Sequence, residues 1–164
     1  PALRAGAEAV ARDALRGEIA ARPWMALLEQ ARAAGAHAGE EVERALDAQL
    51  GYAITKDHAR MRREAADRGK RAARRAQTAA LDRGLALVGL WLRDIGCVVA
   101  GAPELVHHSD RAEALREDAA LGPSAAQLHA GQELVERART TLQLNPNEEL
   151  ALDALGSRLA RALA

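Results

Sequence analysis

The strongest constraint on the fold is a stretch from Lys56 to Ala100 that contains no proline and changes character near its middle. Up to about Thr78 it is rich in arginine and has almost no large apolar residue except Met61. Such a segment predicts a helix exposed to solvent. Beyond Thr78, large apolar residues recur at intervals of three and four, which predicts a helix with a core-facing stripe. The members of that stripe are Leu81, Leu85, Val88, Leu92, Ile95 and Val99.

The other faces of this second half are also apolar, through Leu87, Leu90, Trp91 and Val98. A helix that is apolar on all sides is surrounded by neighbouring elements. The pattern therefore predicts one long helix that leaves solvent and enters the centre of a helical bundle. Gly69 and Gly84 are the positions at which this helix could break.

Composition favours an all-α fold for the whole chain. Alanine, leucine, arginine and glutamate dominate, and these residues favour helices. Residues that favour strands are scarce, and aromatic residues make up only 2% of the chain. The expected fold is a helical bundle with a long connector helix and a small N-terminal helical portion.

Glycines and capping residues predict where the other helices begin and end. In the first fifty residues, Gly35 is expected to end one helix and Gly51 the next. The acidic residues after Gly39 suit the start of the helix that Gly51 is expected to end. Three residues are expected to cap later helix starts: Asp110, Ser124 and Asn147.

Several kinds of site are excluded or disfavoured. Cys97 is the single cysteine, so neither an internal disulfide nor a CxxC zinc site can form. The phosphate-binding pattern G-x-x-x-x-G-K-[ST] is absent, as is an apolar run long enough to span a membrane. His107 and His108 are adjacent on an expected loop, and adjacent loop residues point apart, which argues against a metal or catalytic site.

These observations predict a chain without enzyme activity, cofactor, metal ion, small-molecule substrate or membrane partner. The single cysteine fits a reducing compartment, and no signal peptide opens the sequence. We therefore expect a cytoplasmic location.

The net charge is zero, but the charge is unevenly distributed. Residues 60–75 hold eight basic and two acidic residues, whereas residues 101–164 hold six basic and ten acidic residues. The basic segment could contact phosphates or an acidic partner surface, or it could be a plain solvent-exposed helix face. No aromatic residue is interleaved with it to stack on bases. The candidate contact residues are Arg62, Arg63, Arg68, Lys70, Arg71, Arg74 and Arg75.

Two segments carry a resemblance to a known family. Residues 134–163 contain an arginine-bearing helix, the pattern L-x-x-N-x-N and a leucine-rich helix. The centre of the chain contains the basic helix, the W-x-R-D motif at residues 91–94 and a loop of the form GA-x-x-L-V-x-x-x-D. In this order the segments resemble the C-terminal domain of bacterial DNA polymerase III clamp-loader subunits, best of all the delta-prime type.

The resemblance covers residues 55–164 and extends loosely to residues 1–54, which look like the end of the helical lid of an AAA+ module. It implies that residues 55–164 form a collar-like helical bundle entered by the basic connector helix. A collar is a non-catalytic assembly module that joins clamp-loader subunits into a ring in DNA replication. The implied partners are gamma/tau and delta subunits, and any contact with DNA would be indirect.

The resemblance also marks a set of motif and core residues. They are Leu85, Val88, Trp91, Leu92, Arg93, Asp94, Ile95, Asn145, Asn147, Leu150 and Leu155. Gly156 and Ser157 stand where larger aliphatic residues are expected, and either a shallower core or a closely approaching neighbour would explain them. The alternative function is that of a small stand-alone helical protein that binds nucleic acid through the Arg60–Arg75 helix.

Overall fold

The structure, a computed structural model, describes residues 2–51, 55–144 and 146–164. Within these ranges the chain forms six α-helices and no strand, so the all-α prediction is confirmed. The helices are α1 (Ala2–Arg16), α2 (Met25–Leu50), α3 (His58–Val99), α4 (Ala112–Ala119), α5 (Ala125–Leu142) and α6 (Glu148–Leu163). Short 3-10 turns are formed by Ile19–Ala21, Thr55–Asp57, Pro103–Leu105 and Ser109–Arg111.

The predicted long helix is present as α3, which has 42 residues. It is continuous through Gly69 and Gly84, so neither glycine breaks it. The apolar stripe is buried from Leu81 to Ile95. Val99 is an exception with 43% of its surface exposed, because it is the last residue of the helix and no further turn covers it.

The chain divides into two compact units. The first, which we call the bundle unit, comprises Pro1–Leu28 and Asp82–Ala164. The second, the hairpin unit, comprises Glu29–Leu81. This division differs from the predicted one between residues 54 and 55, because residues 1–54 contribute to both units. The resemblance of residues 1–54 to the end of a lid stays a prediction.

In the hairpin unit, α2 and α3 pack through small residues. A Cβ atom added at Gly35 would lie 2.9 Å from the carbonyl oxygen of Ala73, closer than a side chain allows, whereas one added at Gly69 would lie 3.9 Å from that of Gly39, an ordinary contact. Glycine at position 35 therefore allows the two backbones to approach closely. This contact explains how a segment with few large apolar residues forms a packed pair of helices.

The same contact corrects the predicted helix boundaries in this region. Gly35 does not end a helix, and no new helix begins after Gly39, because α2 runs through both residues to Leu50. The two glycines instead face α3. The prediction that the helix ends at Gly51 is confirmed.

In the bundle unit, α6 packs against α5 and α1. Ser124 forms a capping box with Gln127 at the start of α5, and the Asn147 side chain accepts a hydrogen bond from the backbone N–H of Leu150, so both predicted caps are confirmed. The cap predicted at Asp110 is wrong. The α4 helix begins at Ala112 without a side-chain cap, and the Asp110 carboxylate instead pairs with Arg4 at 2.6 Å.

Trp24 packs directly against the backbone of α6 at Gly156. A Cβ atom added at Gly156 would lie 2.1 Å from Cζ3 of Trp24. The buried indole also donates a hydrogen bond from Nε1 to the carboxylate of Asp153 at 2.7 Å. Of the two explanations for Gly156, a closely approaching neighbour is therefore the one that applies.

Replacing Gly156 with alanine should lower the free energy of unfolding by about 1–3 kcal/mol, because the added methyl group overlaps the Trp24 ring. Urea denaturation followed by circular dichroism measures this change.

The matched control is Gly96→Ala in α3. A Cβ atom there would lie 3.9 Å from Cδ1 of Leu128, an ordinary contact. Because alanine favours helices more than glycine does, this variant should be unchanged or more stable by up to about 1 kcal/mol. Equal stability of the two variants would contradict the close approach of Trp24.

Candidate functional site

The buried carboxylate of Asp118 in α4 connects three helices. Trp91 of α3 donates its indole N–H to Oδ2 at 2.9 Å. Arg12 and Arg16 of α1 donate to Oδ1 at 3.0 and 2.9 Å. A carboxylate buried without partners would be strongly destabilising, but the two guanidinium groups and the indole satisfy this one. Asp118 therefore holds α1, α3 and α4 together.

A second fully buried carboxylate, that of Asp94, anchors the loop after α3. Its Oδ2 accepts the backbone N–H groups of His107 and His108 at 2.9 and 2.8 Å, and it lies 2.8 Å from Nδ1 of His108. Arg93 binds Oδ1 at 3.0 Å and the carbonyl oxygen of Leu105 at 3.2 Å. The charged and aromatic residues of the W-x-R-D motif thus position the loop and α4.

Burial alone would raise the pKa of Asp94. The hydrogen bonds from the backbone N–H groups of His107 and His108, followed by the His108 ring, outweigh burial and hold the pKa below its ordinary value. His108 is itself buried, with its ring centroid 5.3 Å from that of Trp91, whereas His107 is exposed. In the described part of the chain, no group of three or more His, Cys, Asp or Glu residues is placed to hold a metal ion.

The described core and motif residues of the predicted set all belong to the bundle unit. The buried ones are Leu85, Val88, Trp91, Leu92, Asp94, Ile95 and Leu155. Leu150 differs from these residues, because 65% of its surface is exposed. It lies two residues, about 200° around α6, from the buried Leu152 and therefore points outward. Asn145 lies outside the described residues.

A third cluster of charges ties the turn before α2 to α6. Arg22 adopts a left-handed backbone conformation (φ 51°), and its guanidinium group contacts Asp153 at 2.8 Å and Glu149 at 2.9 Å. The hydrogen bond from Arg22, and then that from Trp24, lower the pKa of Asp153 although burial opposes them. The Asp153 carboxylate therefore binds both the Arg22 guanidinium group and the Trp24 indole, and so helps to fix the position of Trp24.

Sequence reasoning did not single out Asp118, Arg12 or Arg16. The available signal was the spacing of the two arginines, four residues apart on one face of α1. A lone aspartate in the eight-residue helix α4 gives no comparable signal, because the two arginines that pair with it are more than 100 residues away in α1.

An open groove lies between α5 and α6 in the bundle unit, with a volume of about 270 Å³. We call it the α5–α6 groove. Six of its lining residues are apolar or small: Leu134, Ala138, Thr141, Ala151, Ala154 and Leu155. Two exposed arginines, Arg137 and Arg158, also line it. Leu150 lies on the same side of α6 as Ala154, one turn earlier, and extends the apolar surface.

The predicted basic contact residues are all on α3 in the hairpin unit, and all are exposed. They are Arg62, Arg63, Arg68, Lys70, Arg71, Arg74 and Arg75. Six of them lie within an arc of about 160° around the helix, and Arg62 lies outside that arc. The face that contains Ala65 and Gly69 is opposite and buried.

Replacing Asp118 with alanine should lower the free energy of unfolding by about 2–4 kcal/mol, because the buried Trp91 N–H loses its acceptor and Arg12 and Arg16 each lose an ion pair to a buried carboxylate. Glu117→Ala is the control, because its carboxylate also pairs with Arg12 but is exposed, and should cost about 1 kcal/mol or less. Urea denaturation compares the two. Similar losses would show that the buried carboxylate has no special role.

The lowered pKa of Asp94 predicts a pH-dependent contribution to stability. The charged form stabilises the fold above the unfolded-state pKa of about 4, and this stabilisation is lost as the pH falls through the lower folded-state pKa. Asp94→Asn should therefore reduce the free energy of unfolding by about 1.5–3 kcal/mol at neutral pH. The difference from wild type should shrink as the pH falls below about 4, and a constant difference between pH 7 and pH 3 would contradict this account.

None of the helices in the described ranges has both the length and the apolar character needed to cross a bilayer. Comparison with protein-family models, with curated protein sequences and with solved structures finds no match for this chain.

Proposed function

We propose that this chain is a non-catalytic helical assembly module of the clamp-loader collar type, and that its α5–α6 groove binds a helix of a sister subunit. One observation carries the proposal. The groove is formed by the two helices of residues 134–163, the segment that bears the resemblance to the collar. Under this proposal the chain acts in DNA replication by joining gamma/tau and delta subunits.

The chemistry of the groove suits a helix as its occupant. Ala138, Ala151 and Ala154 are small, so the backbone of a docking helix can approach closely. An amphipathic helix that lies in an apolar groove is a common mode of protein recognition. Arg137 and Arg158 favour a docking helix whose apolar face is bordered by acidic residues.

Exposed leucines at one end of the bundle unit support an interface on this side. Leu144 has 80% of its surface exposed and Leu150 has 65%. Both are next to the connection between α5 and α6, and Leu150 borders the groove. Large apolar side chains left in water beside an apolar groove are typical of a surface that a partner covers.

The proposal assigns no reaction to the buried polar residues. The oxygens of Asp94 and Asp118 accept hydrogen bonds from groups that hold the fold together. Both carboxylates therefore have a structural role that is sufficient to explain them, and the proposed activity is binding alone.

The test is association with isolated collar domains of gamma/tau and delta clamp-loader subunits, measured by size-exclusion chromatography with light scattering and by isothermal titration calorimetry. We expect a defined complex with at least one of the two. Ala154→Glu should weaken it about tenfold or more, because the variant places a charge among the apolar residues that line the groove.

Ala126→Glu is the matched control, since it makes the same change at an exposed position of α5 outside the groove. Both variants should keep the helical circular dichroism of the wild type. Absence of any complex with either collar domain would overturn the proposal, as would equal affinities of the Ala154 and Ala126 variants.

A further inference from the structure

The exposed face of α3 in the hairpin unit is a row of positive charge. We call it the basic stripe and define it by Arg63, Arg68, Lys70, Arg71, Arg74 and Arg75. From the first to the last of these residues the helix rises about 18 Å. Two acidic residues, Glu64 and Asp67, lie within the same arc, and Glu64 is 3.7 Å from Arg60. The stripe therefore keeps a strong positive excess.

The cations of the stripe differ from the other arginines in their partners. In the bundle unit, Arg12 and Arg22 each contact two or more carboxylates. In contrast, within the described part of the chain, five stripe residues form no hydrogen bond or ion pair to another residue through their side chains. These are Arg63, Arg68, Lys70, Arg71 and Arg75. Their charge is available to an external partner.

We propose that the basic stripe binds the phosphate backbone of a double-stranded nucleic acid without reading its sequence. Five of the six cations are arginines, whose planar guanidinium groups bind phosphate oxygens in pairs. A duplex carries one negative charge per about 1.7 Å of its axis, so a row of about 18 Å faces several phosphates at once. The inference is independent of the groove and of the assembly function.

Two properties of the stripe favour a duplex over other polyanions. No Phe, Trp or Tyr lies between positions 55 and 90, so the stripe lacks the aromatic platform on which single-strand binding proteins stack successive bases. The arc also contains no apolar residue larger than alanine. A protein interface normally has an apolar or aromatic centre, so an acidic protein surface fits less well.

The test is fluorescence anisotropy of a labelled 20-base-pair DNA duplex titrated with the full chain at NaCl concentrations from 25 to 200 mM. We expect binding at low salt, and an affinity that falls by about two to three orders of magnitude between 50 and 200 mM for five phosphate contacts. The triple variant Arg63→Gln, Arg71→Gln, Arg75→Gln should bind about tenfold or more weakly at 50 mM and show a shallower salt dependence.

The matched control is Arg83→Gln, Arg116→Gln, Arg161→Gln, which removes the same charge from exposed positions on other surfaces. It should keep most of the affinity. The inference is overturned if both triple variants bind equally, if no duplex binds at 25 mM NaCl, if a single strand of equal length binds more tightly, or if poly-glutamate competes as well as the duplex. Ala154→Glu should leave duplex affinity unchanged, which separates failure of this inference from failure of the proposed groove.

Discussion

The Asp118 carboxylate is the interaction on which the bundle unit depends most. The unit has to fix α1, which is separated along the chain from α3 and α4, against both of those helices. A buried carboxylate with an indole donor on one oxygen and two guanidinium groups on the other does this with directional bonds. Apolar packing alone, in helices rich in alanine, would specify the arrangement of these helices less uniquely.

The buried Asp94 carboxylate fixes the loop that follows α3 in a similar way. Its hydrogen bonds to His107 and His108 fix the chain just before α4, the helix that carries Asp118. Trp91 contacts both hydrogen-bonded clusters, because its indole N–H donates to Asp118 and its ring lies beside that of His108, a partner of Asp94. One turn of α3 therefore organises much of the polar interior of the bundle unit, while Trp24 and Gly156 set the close contact with α6.

Local patterns in the sequence were sufficient for the parts of the fold that depend on helical periodicity. The burial of α3 from Leu81 to Ile95 follows from spacing, and the caps at Ser124 and Asn147 follow from local hydrogen bonding. Gly35 was misread because a glycine can end a helix or admit a neighbouring backbone, and only the position of α3 decides between them.

The candidate sites were less predictable, because they too depend on how elements that are distant in the sequence pack together. The seven basic residues of α3 that the sequence marks as candidate contacts are all exposed, since exposure of a charge run follows from composition. The α5–α6 groove was not predicted, because it depends on how two helices pack and on which face of α6 carries the exposed Leu150. The ion pairs of Asp118 were also out of reach, because they join residues that are more than 100 positions apart.

The two open surfaces belong to different units and have different chemistry, which suggests separate partners. The groove is apolar and small-residue-rich, whereas the basic stripe is charged and lacks an apolar centre. The proposed assembly with sister collars through the groove can be tested by hydrogen–deuterium exchange of the chain with and without a gamma/tau or delta collar domain. We expect exchange to become slower in α5 and α6 along the groove and to stay the same in residues 62–75. Unchanged exchange along the groove in a formed complex would contradict the proposal.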